Sequence, residues 1–121
     1  MNEDTQLRAH DYAESLDSEL VELAAEVFTL LSDPTRIRIV LALRDGELTV
    51  NALAGLVGKR PTTVSQHLAK LRWAKAVQAR QDGNRVYYSL PDEHAVTLVS
   101  QAMMQAEHVV SAAPAHHQAA R

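Results

Sequence analysis

The stretch RPTTVSQHLAKLR, Arg60 to Arg72, decides how this chain folds. Pro61 suits the first position of a helix, where its missing N–H would find no partner anyway and its φ is already helical. Val64, Leu68 and Leu71 follow at i, i+4 and i+7 and make one apolar stripe. Thr62, Thr63, Gln66 and Lys70 make a polar face opposite. The spacing predicts a helix over Pro61 to Trp73. Just upstream, Ala52, Leu53, Leu56 and Val57 form a shorter helix stopped by Gly58, since glycine enters the left-handed region at little steric cost. Two helices joined by such a short turn are a helix-turn-helix layout.

Downstream, Val77 to Arg80 and Arg85 to Leu90 read as two strands around Gln81-Asp82-Gly83-Asn84, a hairpin signal. A hairpin directly after a helix-turn-helix is a wing. Upstream, Leu20, Leu23, Ala24, Val27, Leu30 and Leu31 repeat at helical spacing from Asp17 to Leu31. Asp33-Pro34 restarts a helix with a capping acid and a first-turn proline, Ile37, Val40 and Leu41 form its stripe, and Asp45-Gly46 ends it. Leu48 to Val50 reads as a short strand. A last helix is expected from near Asp92, after Pro91, to about Val110. The expected organisation is one domain over 17–110, with a polar flexible segment at 1–16 and a flexible histidine-containing tail at 111–121.

Charge singles out the same region. From Lys59 to Arg85 there are seven basic residues, Lys59, Arg60, Lys70, Arg72, Lys75, Arg80 and Arg85, against the single acid Asp82. The rest of the chain carries five basic and 14 acidic residues, and the net charge is −3. A basic region on an acidic body is the footprint of a nucleic-acid contact. The 121 residues contain no cysteine, which excludes disulfides, zinc ribbons and thiolate sensors of arsenic, lead or cadmium. No apolar run approaches the roughly 20 residues that span a bilayer, and no apolar leader is present, so a cytoplasmic protein without membrane partners is expected.

Four of the six histidines, His94, His108, His116 and His117, fall in the last 28 residues. On a helix, His94 and His108 stand about 21 Å apart, too far for one ion, yet 14 residues are almost four whole turns, so both share a face. One helix cannot close such a site. Two antiparallel copies can, because His94 of one then lies opposite His108 of the other. The spacing therefore points to a symmetric dimer with two metal sites between its subunits. Nitrogen and oxygen donors suit nickel, cobalt or zinc. Asp92 is either a further ligand or the cap of the last helix, the latter favoured by its place after Pro91. Met103 and Met104 read as interface core. No nucleophile motif, phosphate loop or substrate-pocket pattern is present, so neither an enzyme nor a small organic substrate is expected.

The runs LLSDPTRIRIV, Leu30 to Val40, RPTTVSQHLAKLR, Arg60 to Arg72, and QDGNRVYYSL, Gln81 to Leu90, in this order, resemble the ArsR/SmtB metal-responsive repressors over roughly Leu20 to Val110. The resemblance implies a mainly α winged helix-turn-helix of order α-α-α-α-β-β-α, and a homodimer through its first and last helices. It implies a repressor that binds a palindromic operator and leaves it when metal binds, releasing metal-efflux genes. Gln105 stands where a family zinc site often has a histidine. The set His94, Glu107, His108, His116 and His117 is instead similar to that of the nickel- and cobalt-sensing members. These five groups exceed the four of tetrahedral zinc, which favours Ni(II) or Co(II) as effector, with Zn(II) the alternative. A winged-helix regulator without metal input is the other alternative.

On this reading the helix at Pro61 enters the major groove of operator DNA. Gln66 can bond an adenine in bidentate fashion, Thr62 or Thr63 can meet a thymine methyl or a phosphate, and Ser65 matches the family's groove-side serine. Lys59, Arg60 and Lys70 are expected on phosphates, with Arg60 at the place of an N-cap. Arg80 and Arg85 flank the wing tip and are expected to reach a minor groove or the backbone. His67 is expected to be a packed structural histidine, and Trp73 to pack at its helix end.

Overall fold

The computed structural model describes Leu16 and residues 18–112. Its elements run α1 (Glu19–Leu31), α2 (Pro34–Ala42), a 3-10 turn (Leu43–Asp45), β1 (Leu48–Thr49), α3 (Val50–Val57), α4 (Pro61–Trp73), β2 (Gln78–Asp82), β3 (Arg85–Ser89) and α5 (His94–Ser111). This is the expected winged helix-turn-helix, and the short strand expected over Leu48 to Val50 forms at Leu48–Thr49, with Val50 opening α3. Ser111, expected in the tail, closes α5. The rest of the expected tail, and the N-terminal segment apart from Leu16, lie outside the described residues.

Local chemistry accounts for the element ends. Asp33 accepts from the backbone N–H of Thr35 at 2.8 Å and of Arg36 at 3.1 Å, which caps α2 before Pro34. Thr49 caps α3 through Ala52 N–H. Gly58 ends α3 with φ 68°, in the left-handed region. Only Gly83 of the wing turn has positive φ, 62°, which suits a two-residue hairpin with glycine first. The strands β2 and β3 pair from Gln78↔Ser89 to Asp82↔Arg85, so β2 runs two residues beyond its expected end at Arg80 and starts one later. All pairing is antiparallel, in the order β1-β3-β2.

The core sits behind α4. Val64, Leu68 and Leu71 of α4 are fully buried against Ile39 of α2, Leu53 of α3, and the nearly buried Leu43 and Val77. The expected stripe of α2 is shifted: Ile39 and Val40 are the buried pair, while Ile37 and Leu41 are half-buried at the edge. A second cluster joins Val40 to Ala95 and Val99 and so seats only the first turns of α5. Every residue from 101 to 112 is exposed. No residue of α1 is buried. No helix among the described residues is long and apolar enough to cross a membrane.

Candidate functional site

Two exposed surfaces carry the polar chemistry, and different elements build them. The first is the outer face of α4 with its flanks. Burial of Val64, Leu68 and Leu71 turns Thr62, Ser65, Gln66 and Lys70 outward, and Thr63 is half-exposed beside them. Lys59 and Arg60 are exposed on the turn before α4. Arg60 is the N-cap residue and its side chain makes no capping bond. The first amides of α4 therefore have no side-chain partner, the arrangement that favours an anion at a helix N-terminus. The expected DNA-contact residues of this helix thus share one continuous face.

The wing is more constrained than its sequence suggests. Arg85 is exposed near the tip. Arg80 is engaged inside the chain: its guanidinium donates to both carboxylate oxygens of Glu47, with Nε–Oε2 at 2.8 Å. It also lies 4.8 Å over the Tyr87 ring and 3.9 Å from Asp82. The bond from Arg80 holds the Glu47 carboxyl below the usual carboxylate range and raises the guanidinium correspondingly. Arg80 ties the wing to the segment before β1, and its charge is shared with Glu47. No spacing signal in the sequence pairs residues 33 positions apart.

His67 is half-buried, and its Nδ1 accepts from Arg36 Nε at 3.1 Å. Trp73 does not pack as expected at its helix end: it is 86% exposed. It borders an apolar groove of about 560 Å³ between α1 and the end of α4, shared with Leu23, Val27 and Leu30.

The second surface is α5. His94 opens the helix and His108 stands near its end, with Glu107 beside it, and all three are exposed. Asp92 Oδ1 accepts from His94 N–H at 2.9 Å and lies 3.4 Å from His94 Nδ1. The acid therefore supports the start of α5, one residue outside the cap position held by Glu93, and lies beside the exposed imidazole. Among the described residues no three His, Asp or Glu side chains come together around one point. The imidazole and carboxylate donors fit a borderline divalent ion by type, but one chain does not gather them. His116 and His117 lie outside the described residues.

The same helix carries Leu98, Met103, Met104, Val109 and Val110 exposed, and α1 carries Leu20, Leu23, Val27 and Phe28 exposed. An apolar surface of this extent on two neighbouring helices is characteristic of an interface.

The pattern of bacterial regulatory proteins of the arsR family matches residues 33–75, from the α2 cap to just past the end of α4. The chain is 46% identical over 113 residues to the HTH-type transcriptional regulator KmtR of Mycobacterium tuberculosis, covering 90% of this chain and 87% of that one. It is 40% identical to a cadmium resistance transcriptional regulatory protein, a CadC homolog of Staphylococcus aureus, over 72% of this chain and 73% of the relative. Its fold is similar to the solution structure of a homodimeric winged helix-turn-helix DNA-binding domain from Mycobacterium bovis. The TM-score is 0.67 at 30% identity, over 78% of this chain and 87% of that one.

Proposed function

Since the chain belongs to the arsR family of bacterial regulatory proteins, DNA-binding transcriptional regulators rather than enzymes, we propose that it is a homodimeric repressor released from its operator by Ni(II) or Co(II). The observation that carries this reading is the placement of His94 and His108. They lie at the two ends of an exposed helix, on one face, with an apolar surface between them. Pairing two copies of α5 antiparallel covers the apolar surface and brings His94 of one copy to Glu107 and His108 of the other. The homodimeric M. bovis domain supports an assembly of two copies. The cadmium-resistance relative supports a metal as the signal, although the absence of cysteine here points away from a thiolate site.

In the metal-free dimer, two copies of α4 present Gln66, Ser65, Thr62 and Thr63 to successive major grooves, while Lys59, Arg60, Lys70 and the wing's Arg85 hold phosphates. A two-fold dimer of this kind selects a palindrome. A bound divalent ion supplies positive charge and a fixed coordination geometry between subunits. His94 stands exposed at the start of α5 with the Asp92 carboxylate 3.4 Å from Nδ1, so Nε2 is the nitrogen open to a ligand. His116 and His117 complete the proposed ligand set. Drawing α5 and the tails together favours a dimer shape in which the reading helices no longer match the grooves. The coupling is about 1–3 kcal/mol or more, and operator DNA weakens metal binding by the same factor. Repression and response both take place in the cytoplasm, where the operator is.

The deciding experiment is a titration of protein bound to a selected DNA duplex with Ni(II), Co(II) and Zn(II), reading release by fluorescence anisotropy. Release by Ni(II) or Co(II) that is lost in His94→Ala and His108→Ala supports the reading. Release that survives both substitutions removes these ligands, and no response to any divalent ion leaves a winged-helix regulator without metal input. Zinc is the competing effector. Intense tetrahedral d–d bands in the Co(II) form would select it over a higher-coordinate site.

A further inference from the structure

Arg36 occupies a joint between three helices that its place in the sequence does not reveal. It stands in the first turn of α2, and its own N–H bonds to the capping carboxylate of Asp33. Its Nη1 donates to the carbonyl of Leu30 at 2.8 Å, one of the last-turn carbonyls of α1 that has no partner within its helix. Its Nε donates to Nδ1 of His67, in the middle of α4, at 3.1 Å. One guanidinium therefore bonds the end of the exposed apolar helix α1 to the centre of the reading helix. His67 is half-buried and lies on the reading helix between the buried Val64 and Leu68 and the outward Gln66. A planar fork that makes both bonds fixes the rotation of α4 as well as its position.

We propose that Arg36 and His67 form a strut that sets the reading helix for DNA, and that the strut holds only while His67 is neutral. The inference rests on α4 being the DNA-reading element and is independent of any metal. An imidazole that accepts at Nδ1 carries its proton on Nε2, and a protonated ring has no free nitrogen to accept with. Uptake of a second proton abolishes the bond from Arg36 and places two cations side by side. Asp33, whose carboxylate feels both charges, offsets part of that repulsion but cannot restore the acceptor. Glu26 of α1 and Lys70 of α4 border the groove beside Arg36 and oppose each other in sign. The facing helix α3 carries no charged side chain. Acid should therefore loosen α4 and lower operator affinity. The trend is opposite to the general one, in which added positive charge strengthens DNA binding.

The test uses the full chain with a chelator present and a duplex selected from a random pool by the wild-type protein. Affinity is read in a series from about pH 8 down to the most acid pH at which the wild type stays folded. Wild type should lose about tenfold in acid, the worth of a hydrogen bond from a charged donor. Arg36→Met should be weaker by about tenfold already at pH 8 and insensitive to acid. His67→Asn places an amide oxygen near the position of Nδ1 without a titrating proton. It should retain most of the wild-type affinity at pH 8 and lose none of it in acid, an outcome that general loosening of the core would not produce. Thermal melts show whether each variant is folded, and if Arg36→Met is not, the His67→Asn comparison decides. A folded Arg36→Met that binds as wild type does, or a His67→Asn that falls in acid as wild type does, overturns the strut. A wild-type protein that selects no duplex overturns the DNA-reading premise itself.

Discussion

Lys75 holds φ at 62°, the only non-glycine with positive φ among the described residues. It follows the end of α4, where Ala76 N–H bonds back to Leu71 carbonyl and Lys75 N–H to Arg72 carbonyl. This pair of bonds is the Schellman ending, and its left-handed position favours glycine. The lysine side chain opposes the conformation by about 1–2 kcal/mol, and glycine returns part of that gain through its greater unfolded-state freedom. Lys75→Gly is expected to stabilise the fold by about 0.5–1 kcal/mol, seen as a higher midpoint in urea unfolding. A lower midpoint would show that the lysine side chain makes compensating contacts. At the same scale, Glu47 holds the Arg80 guanidinium that the sequence expects on DNA. Glu47→Gln should raise DNA affinity and steepen its salt dependence by about one charge, measured as the slope of log affinity against log salt. An unchanged slope would mean that Arg80 never meets a phosphate. The cation itself was legible in the sequence. Its acid partner was not, because contacts between residues 33 apart leave no local pattern.

Elements were the most legible level, because caps, stripes and turns act over a few neighbouring residues. Asp33-Pro34 starts α2, Pro61 starts α4 and Gly58 ends α3, as their chemistry requires. Strand ends were less legible, because the pairing register of β2 and β3 decides them rather than composition. The stripe of α2 was misplaced by two residues at its start, since burial there depends on which neighbours arrive from α4 and α5. The Asp33 cap carries its own pH signature. Partial burial of its carboxyl opposes ionisation, but bonds from Arg36 and Thr35 N–H, with the charges of His67 and Arg36, outweigh it and lower the pKa. A lowered folded value means that the carboxylate's contribution is complete above the unfolded value of about 3.9 and is lost as pH falls through the folded one. Asp33→Ala should cost about 1 kcal/mol at neutral pH. Its gap to wild type should close in acid, below about pH 4, in urea unfolding followed by circular dichroism. A gap of the same size at about pH 3 would assign the loss to something other than the ionised cap.

At the scale of the whole molecule, the single chain is unfinished. The core satisfies α2, α3 and α4, while α1 and the outer turns of α5 leave Phe28, Leu23, Met103 and Met104 in water. Phe28→Asp is expected to leave the core intact and shift the protein to a monomer in sedimentation velocity. Loss of the paired reading helices should then weaken binding to a palindromic duplex by about a hundredfold or more. A dimer that survives this substitution would place the interface elsewhere.

Local rules of spacing, capping and turn chemistry determined the order of helices and strands, the polar face of α4, and the separation of His94 and His108. These depend on residues within a turn or two of one another, or on a constant rise per residue. The tertiary structure alone decided how the charged and titrating groups are used. Arg80 is held by Glu47 and His67 by Arg36. Those partnerships form only when packing brings distant elements together, and packing also decides which apolar faces are left for a second copy to cover.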